Sequence, residues 1–135
     1  MFRQYKGASI ACIVAGCFLS VTAEAKSPDW IKMGENKGLD VYYVDKNNVK
    51  KVGNLAYIWV LADLHTPIQK RIFSSKSYKE IDCSSNTEKD LQMIFFSGQM
   101  NEGDILGIND EPTEKEIIVP GSPGDKVKDY VCANV

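Results

Sequence analysis

The sequence predicts an α+β domain, in which a single antiparallel sheet of about six strands carries a C-terminal helix on one face, tied there by a disulfide. Three observations support this fold class. Short runs of β-branched and aromatic residues are separated by turn residues, one late stretch has helical spacing, and two cysteines remain after an N-terminal leader. The 135 residues, 44% of them hydrophobic and 25% charged, suffice for one domain with one core.

The first 25 residues have the pattern of a secretory signal peptide. Two basic residues precede an uncharged, mostly apolar run over residues 7–23, and Ala23 and Ala25 supply the small residues that signal peptidase requires. The apolar run is shorter than the roughly 20 residues of a membrane-spanning helix. We therefore expect cleavage between Ala25 and Lys26, which leaves residues 26–135 as the mature domain.

The same segment supports a second interpretation, because residues 14–17, with the sequence Val-Ala-Gly-Cys, resemble the lipobox of bacterial lipoproteins. Cys17 would then be lipidated and become the new N-terminus, with the lipid as a membrane anchor. Phe18 and Leu19 continue the apolar run past this point, which favours cleavage after Ala25. Both routes export the domain to the periplasm, the outer membrane or the cell surface.

The predicted strands are short apolar runs bounded by Gly, Asn, Asp and Lys. The longest begins directly after the turn signal Gly53-Asn54, whereas the Ser and Lys residues of the next one indicate a solvated face or an edge position. Because short connections join consecutive strands, the sheet is expected to be antiparallel. The strands are Val41–Val44, Leu55–Leu64, Arg71–Asp82, Leu91–Phe96, Ile105–Ile108 and Glu116–Val119.

One stretch, from Pro123 to about Ala133, is predicted to be helical. Ser122 can cap its first turn, Pro123 suits the first helical position, and Asp125 suits the positive end of the helix dipole. The apolar stripe that would face the sheet consists of Val127, Tyr130 and Val131.

Two cysteines, Cys83 and Cys132, lie beyond the leader. In an oxidising compartment such a pair most often forms a disulfide, and two buried free thiols are the alternative. The bridge would close a loop of 49 positions. The loss of chain entropy in the unfolded state then corresponds to about 4 kcal/mol of stabilisation.

The longest predicted strand is apolar on both of its faces. Tyr57 and Trp59 point to one side of the sheet, while Ile58 and Val60 point to the other. A single short helix covers only one side. The other side is therefore expected to be covered by the sheet's own curl, as in a barrel, by a partner protein, or by a second copy of the chain in a homodimer.

The composition excludes several classes of function. A net charge of −2 provides no basic footprint for nucleic acid. His65 is the only histidine, and together with Asp63 it could supply two metal ligands at most, which do not make a specific site. No residue stands in the pattern of an activated nucleophile. We expect neither an enzyme nor a bound cofactor or metal.

The one local positive cluster consists of Lys70, Arg71, Lys76 and Lys79, with Phe73 and Tyr78 among them. A functional interpretation is a contact strip for an acidic or glycan-bearing partner. The alternative is the solvent face of an edge strand, where lysines discourage pairing with other chains.

The mature sequence resembles the surface-adhesin protein E family of Gram-negative bacteria over nearly its whole length. The strongest elements are a strand that ends in Tyr-x-x-x-Asp-Cys and the C-terminal Val-Cys pair. The resemblance implies a six-stranded antiparallel sheet with a C-terminal helix held by a disulfide. The residues that carry it are Trp30, Tyr42–Asp45, the strand around Trp59, Ser77–Cys83, Gly103, Val119–Ser122 and Val131–Asn134.

The resemblance also implies a function, because the family's namesake is a dimeric outer-membrane adhesin that attaches to host matrix proteins such as vitronectin and laminin through a basic segment. The matching region here, residues 69–93, holds five basic and four acidic residues. Matrix binding that depends on charge complementarity is therefore expected to be weak. A structural envelope domain that stays in the periplasm is the alternative to an adhesin-like protein.

The intact mass of the exported protein tests the predicted processing and the disulfide together. We expect a chain that begins at Lys26 and is two hydrogens lighter than its dithiol form. A lipid-sized mass increase on a chain that begins at Cys17 would contradict the cleavage site, and an unreduced chain with both thiol hydrogens would contradict the disulfide.

Overall fold

The computed structural model describes residues 26–134, which form one sheet of eight strands followed by one helix. The predicted leader, with Cys17 and Ala25, lies outside the described residues. The elements are β1 (Trp30–Glu35), β2 (Val41–Asp45), β3 (Lys50–Val52), β4 (Leu55–Ile68), β5 (Ile72–Asp82), β6 (Thr87–Phe96), β7 (Ile105–Asn109), β8 (Glu116–Ile117) and α1 (Pro123–Asn134).

All strand pairs are antiparallel, as predicted, and the main order is β1-β2-β4-β5-β6-β7. The expected number of about six strands is wrong, because β1 and β3 add two strands that the sequence did not predict. β3 shares one edge of β4 with β2, and β8 shares one edge of β6 with β7. The described strands form an open sheet with β1 and β7 at its ends, so the sheet does not close into a barrel.

The strand segments that are not predictable from local sequence lack a run of apolar residues. All three residues of β3 are exposed, and β1 interrupts its half-buried positions with the charged Lys32 and Glu35. The first half of β6 reads Thr-Glu-Lys-Asp, yet it pairs fully with β5. Its charges face opposite charges on β5, so ion pairs take the place of hydrophobic contacts.

The helix α1 confirms the prediction and packs against β1 and β4. The Ser122 hydroxyl accepts a hydrogen bond from the Asp125 amide at 3.2 Å, which caps the first turn. Asp125 in turn accepts one from the Gly121 amide, and this bond lowers the pKa of its carboxyl. Val127 and Val131 are fully buried against Ile58, Val60 and other core residues of the sheet.

The predicted disulfide between Cys83 and Cys132 is present, with the two Cα atoms 5.8 Å apart. It ties the last turn of α1 to the end of β5. A tight turn after β5 places Cys83, because the Asp82 carboxylate accepts hydrogen bonds from the Ser84 hydroxyl at 2.6 Å and from the Ser84 and Ser85 amides. These bonds lower the pKa of Asp82 to about 2.

The depressed pKa of Asp82 predicts a defined loss of stability in acid. Its folded-state pKa of about 2 lies below the ordinary value of 3.8, so the stabilisation is present above about pH 4 and is lost as the pH falls toward 2. The free energy of unfolding should therefore fall more steeply over this range in the wild type than in Asp82→Asn. Urea unfolding at several pH values measures this, with the exposed Asp104→Asn as the control; parallel curves for all three proteins would contradict it.

Candidate binding face of the sheet

The side of the sheet opposite α1 carries a continuous set of apolar and aromatic side chains, which we call the helix-free face. Residues paired directly across antiparallel strands point to the same side, so strand register defines the set. Leu61 of β4 pairs with Lys76, which pairs with Ile94, which pairs with Ile108 of β7. The helix α1 does not cover this face, but Leu61 is fully buried within it, where the backbone of the β6–β7 loop hydrogen-bonds to Asp63 and Ser74.

Three aromatic side chains form the centre of this face. Trp59 and Tyr78 are directly paired across β4 and β5, with ring centroids 5.1 Å apart. Tyr57 lies diagonally from Tyr78, at 6.1 Å between centroids. All three are half-buried. Such aromatic pairs form a rigid platform that presents a large apolar area to a partner with little loss of conformational entropy.

The side chain of Lys76 places a positive charge above these aromatic rings. The Lys76 ammonium is 4.9 Å from the Trp59 ring centre and 5.9 Å from that of Phe96. Cation–π contacts of this kind contribute about 0.5–1 kcal/mol at partly exposed positions. We call Tyr57, Trp59, Tyr78 and Lys76 the aromatic patch.

The tyrosines of the aromatic patch stay protonated near neutral pH. Partial burial raises the pKa of Tyr78. Partial burial and the hydrogen bond that Tyr57 donates to Glu80, at 3.1 Å, together raise the pKa of Tyr57. The patch therefore offers hydroxyl groups and one positive charge within an apolar surface, which suits a protein or glycan surface better than a small charged substrate.

A shallow groove of about 350 Å³ adjoins the patch. Trp30 forms one wall, and Trp59, Lys76 and Tyr78 also line the groove. The buried Asp45 holds this wall, since its carboxylate accepts hydrogen bonds from the Asp29 and Asn47 amides and from the Asn48 side chain. These hydrogen bonds order the backbone around Asp45, the cross-strand partner of Trp30.

The four residues predicted as a positive contact strip do not lie on one surface. Lys70 and Arg71 are exposed at the β4–β5 hairpin tip, where Gln69 and Lys70 have positive φ as in a type I′ turn. Lys76 lies on the helix-free face. Lys79 is three residues further along the same strand, so it points to the opposite face, beside Ile58.

Lys79 has a structural role on the helix-covered side. Its ammonium lies 2.8 Å from Asp90 and 3.4 Å from Glu88, and its side chain is only 17% exposed. Burial alone lowers the pKa of Lys79, but the two carboxylates outweigh this effect and raise the pKa above its ordinary value. The strand period of two separates Lys76 from Lys79, a signal already present in the sequence.

Asp63 and His65, the two possible metal ligands in the sequence, have different hydrogen-bond partners. Asp63 accepts a hydrogen bond from the Met100 amide, whereas the exposed His65 donates its own amide to Asp40. Residues 26–134 contain no group of three or more His, Cys, Asp or Glu placed to hold a metal ion. No helix within the described range is long and apolar enough to cross a membrane.

The model of the family described as surface-adhesin protein E matches residues 30–133. The chain belongs to this family. The match spans every strand, the disulfide and α1 to its last turn, and it confirms the resemblance inferred from the sequence. The family is one of adhesins and not a family of enzymes.

Solved structures of Haemophilus influenzae protein E share the fold. One crystal form aligns with a TM-score of 0.61 at 16% identity, over 83% of this chain and 98% of that one. A second structure gives 0.60 at 15%, covering 84% and 92%. The protein E of a non-typeable strain gives 0.56 at 17%, covering 86% and 82%. A comparison with curated protein sequences finds no significant match.

The placement of the lysines predicts different stability effects for substitutions within the positive cluster. Lys79→Met leaves the half-buried Glu88 and Asp90 carboxylates without their counter-charge, so it should lower the free energy of unfolding by about 3 kcal/mol. Lys70→Gln, at the exposed hairpin tip, should change it by no more than about 0.5 kcal/mol. Urea unfolding compares the two variants, and equal stability of both would contradict the assignment of Lys79.

Proposed function

We propose that this protein is an adhesin-like binding protein of the bacterial envelope and that the aromatic patch on the helix-free face is its contact surface. The observation that carries the proposal is the half-buried cluster of Tyr57, Trp59 and Tyr78, with Lys76 above it, on the one side of the sheet that α1 does not cover. Trp and Tyr in such positions dominate the energetics of protein interfaces.

The proposed partner is a protein, with the host matrix proteins vitronectin and laminin as the first candidates to test. Lys76 would contribute a positive charge at the centre of the contact. Lys70 and Arg71 would contribute positive charges at its periphery, at the hairpin tip. Lys79 is left out of this surface because its charge is used within the fold. Rim charges mainly affect the association rate, whereas desolvated aromatic anchors determine the affinity.

The net charge of the chain limits the electrostatic contribution to this contact. The chain carries a net charge of −2, so long-range attraction to an acidic partner is small. The proposed interaction therefore rests on burial of the aromatic patch and depends only weakly on salt. A second copy of the chain is the competing occupant of the same face, and sedimentation at high protein concentration distinguishes a homodimer from a monomer.

Substitution of Trp59 tests the proposed surface directly. Trp59→Ala should weaken binding of the mature domain to immobilised vitronectin or laminin by at least about tenfold, while Trp59→Phe should retain most of it. Val119→Ser, an exposed residue near the start of α1, is the matched control and should bind normally. Circular dichroism verifies that each variant is folded. Unchanged binding by Trp59→Ala, or no binding by the wild type, would refute the proposal.

Protease treatment of intact cells tests the proposed location. A surface protein should lose its signal when external protease is added, whereas a periplasmic marker on the same cells stays intact. Full protection of the protein would instead support a structural domain within the periplasm.

A further inference from the structure

The two ends of the sheet differ in how their free edges are protected. An edge strand exposes unpaired N–H and C=O groups, and proteins block such edges with charged residues, proline, bulges or a covering element. β1 has an ion pair along it, with the Lys32 ammonium 2.9 Å from Glu35, and α1 packs against it. β7 has no charged residue, no proline and no covering element within the described part of the chain.

β7 also exposes large apolar side chains beside its free edge. Ile105 is 57% exposed and Ile108 is 56% exposed. Their partners in β6, Phe96 and Ile94, place them on the helix-free face, at the end of the sheet remote from β1. The register shift at Phe95/Phe96 is a single bulge at Leu106 of β7, and the outer edge of β7 pairs with no other described strand.

The ends of β7 are acidic. Glu102 and Asp104 precede the strand and Asp110 and Glu111 follow it, all exposed. None of the four takes part in an ion pair with another residue of the range 26–134. The free edge is thus an apolar strand between two negative ends, whereas the β4–β5 hairpin tip carries the positive Lys70 and Arg71.

We propose that the free edge of β7 is a second interaction surface, which binds an extended peptide segment with an apolar centre and basic ends by β-strand addition. The backbone of the peptide would satisfy the unpaired groups of β7, while alternate apolar side chains would cover Ile105 and Ile108. Lysines or arginines at both ends of the segment would face the acidic residues that flank the strand. This surface is separate from the aromatic patch, so it does not depend on the proposed function.

A labelled synthetic peptide tests the inference on the mature, disulfide-bonded protein. The probe has the sequence Lys-Lys-Val-Thr-Val-Thr-Val-Lys-Lys, and its binding is measured by fluorescence anisotropy. We expect N-methylation of alternate backbone nitrogens to weaken binding by about tenfold or more, because it removes strand hydrogen bonds. Replacing the four lysines with glutamates should weaken binding to a similar extent. Amide exchange should slow within residues 105–109.

Two variants locate the site on the protein. Ile108→Lys should reduce peptide binding by about tenfold, whereas Ile117→Lys, on the exposed β8, should leave it unchanged. The double charge reversal Glu102→Lys with Glu111→Lys, outside the strand, should also weaken binding and keeps the test valid if Ile108→Lys fails to fold. Three results would overturn the inference. The N-methylated peptide could bind as tightly as the unmodified probe, the probe could fail to bind at millimolar concentration, or β7 could pair with a second copy of the chain instead of the peptide.

Discussion

The covalent link between Cys83 and Cys132, together with the burial of Val127 and Val131, determines which side of the sheet is available for binding. The sheet has apolar side chains on both sides, and α1 is the one helix in the described residues that can cover either. The disulfide joins α1 to the end of β5, so the helix stays on the side of Ile58 and Val60. Consequently, the aromatic patch remains open on the other side.

The difference between the helix-covered and helix-free sides of the sheet explains why neighbouring charges have different roles. On the helix-covered side, Lys79 pairs with Asp90 and Glu88, and these charges replace apolar contacts where β5 and β6 meet. On the helix-free face, Lys76 lies above Trp59 and remains partly exposed. A buried ion pair contributes structural specificity at considerable cost in desolvation, whereas a cation on an aromatic ring can still contact a partner.

Much of the fold followed from local sequence signals. The helix was predictable because Ser122, Pro123 and Asp125 mark its start, and the disulfide because two cysteines lie beyond the predicted leader. β3 and the first half of β6 were not predictable, since their stability comes from cross-strand partners distant in sequence. The sequence predicted only part of the candidate site. The alternation of β4 placed Tyr57 and Trp59 on one face, but only the register with β5 brings Tyr78 and Lys76 to them.

Amide hydrogen exchange of the mature protein, with and without the disulfide, tests most directly whether this link holds α1 against one face. In the double variant Cys83→Ala with Cys132→Ala, we expect residues 123–134 to lose protection by more than about tenfold relative to β4 and β5. That result would mean that the bridge, and not packing alone, keeps the helix in place. Protection of α1 that falls no more than that of the central strands would instead show that packing alone holds the helix on this face.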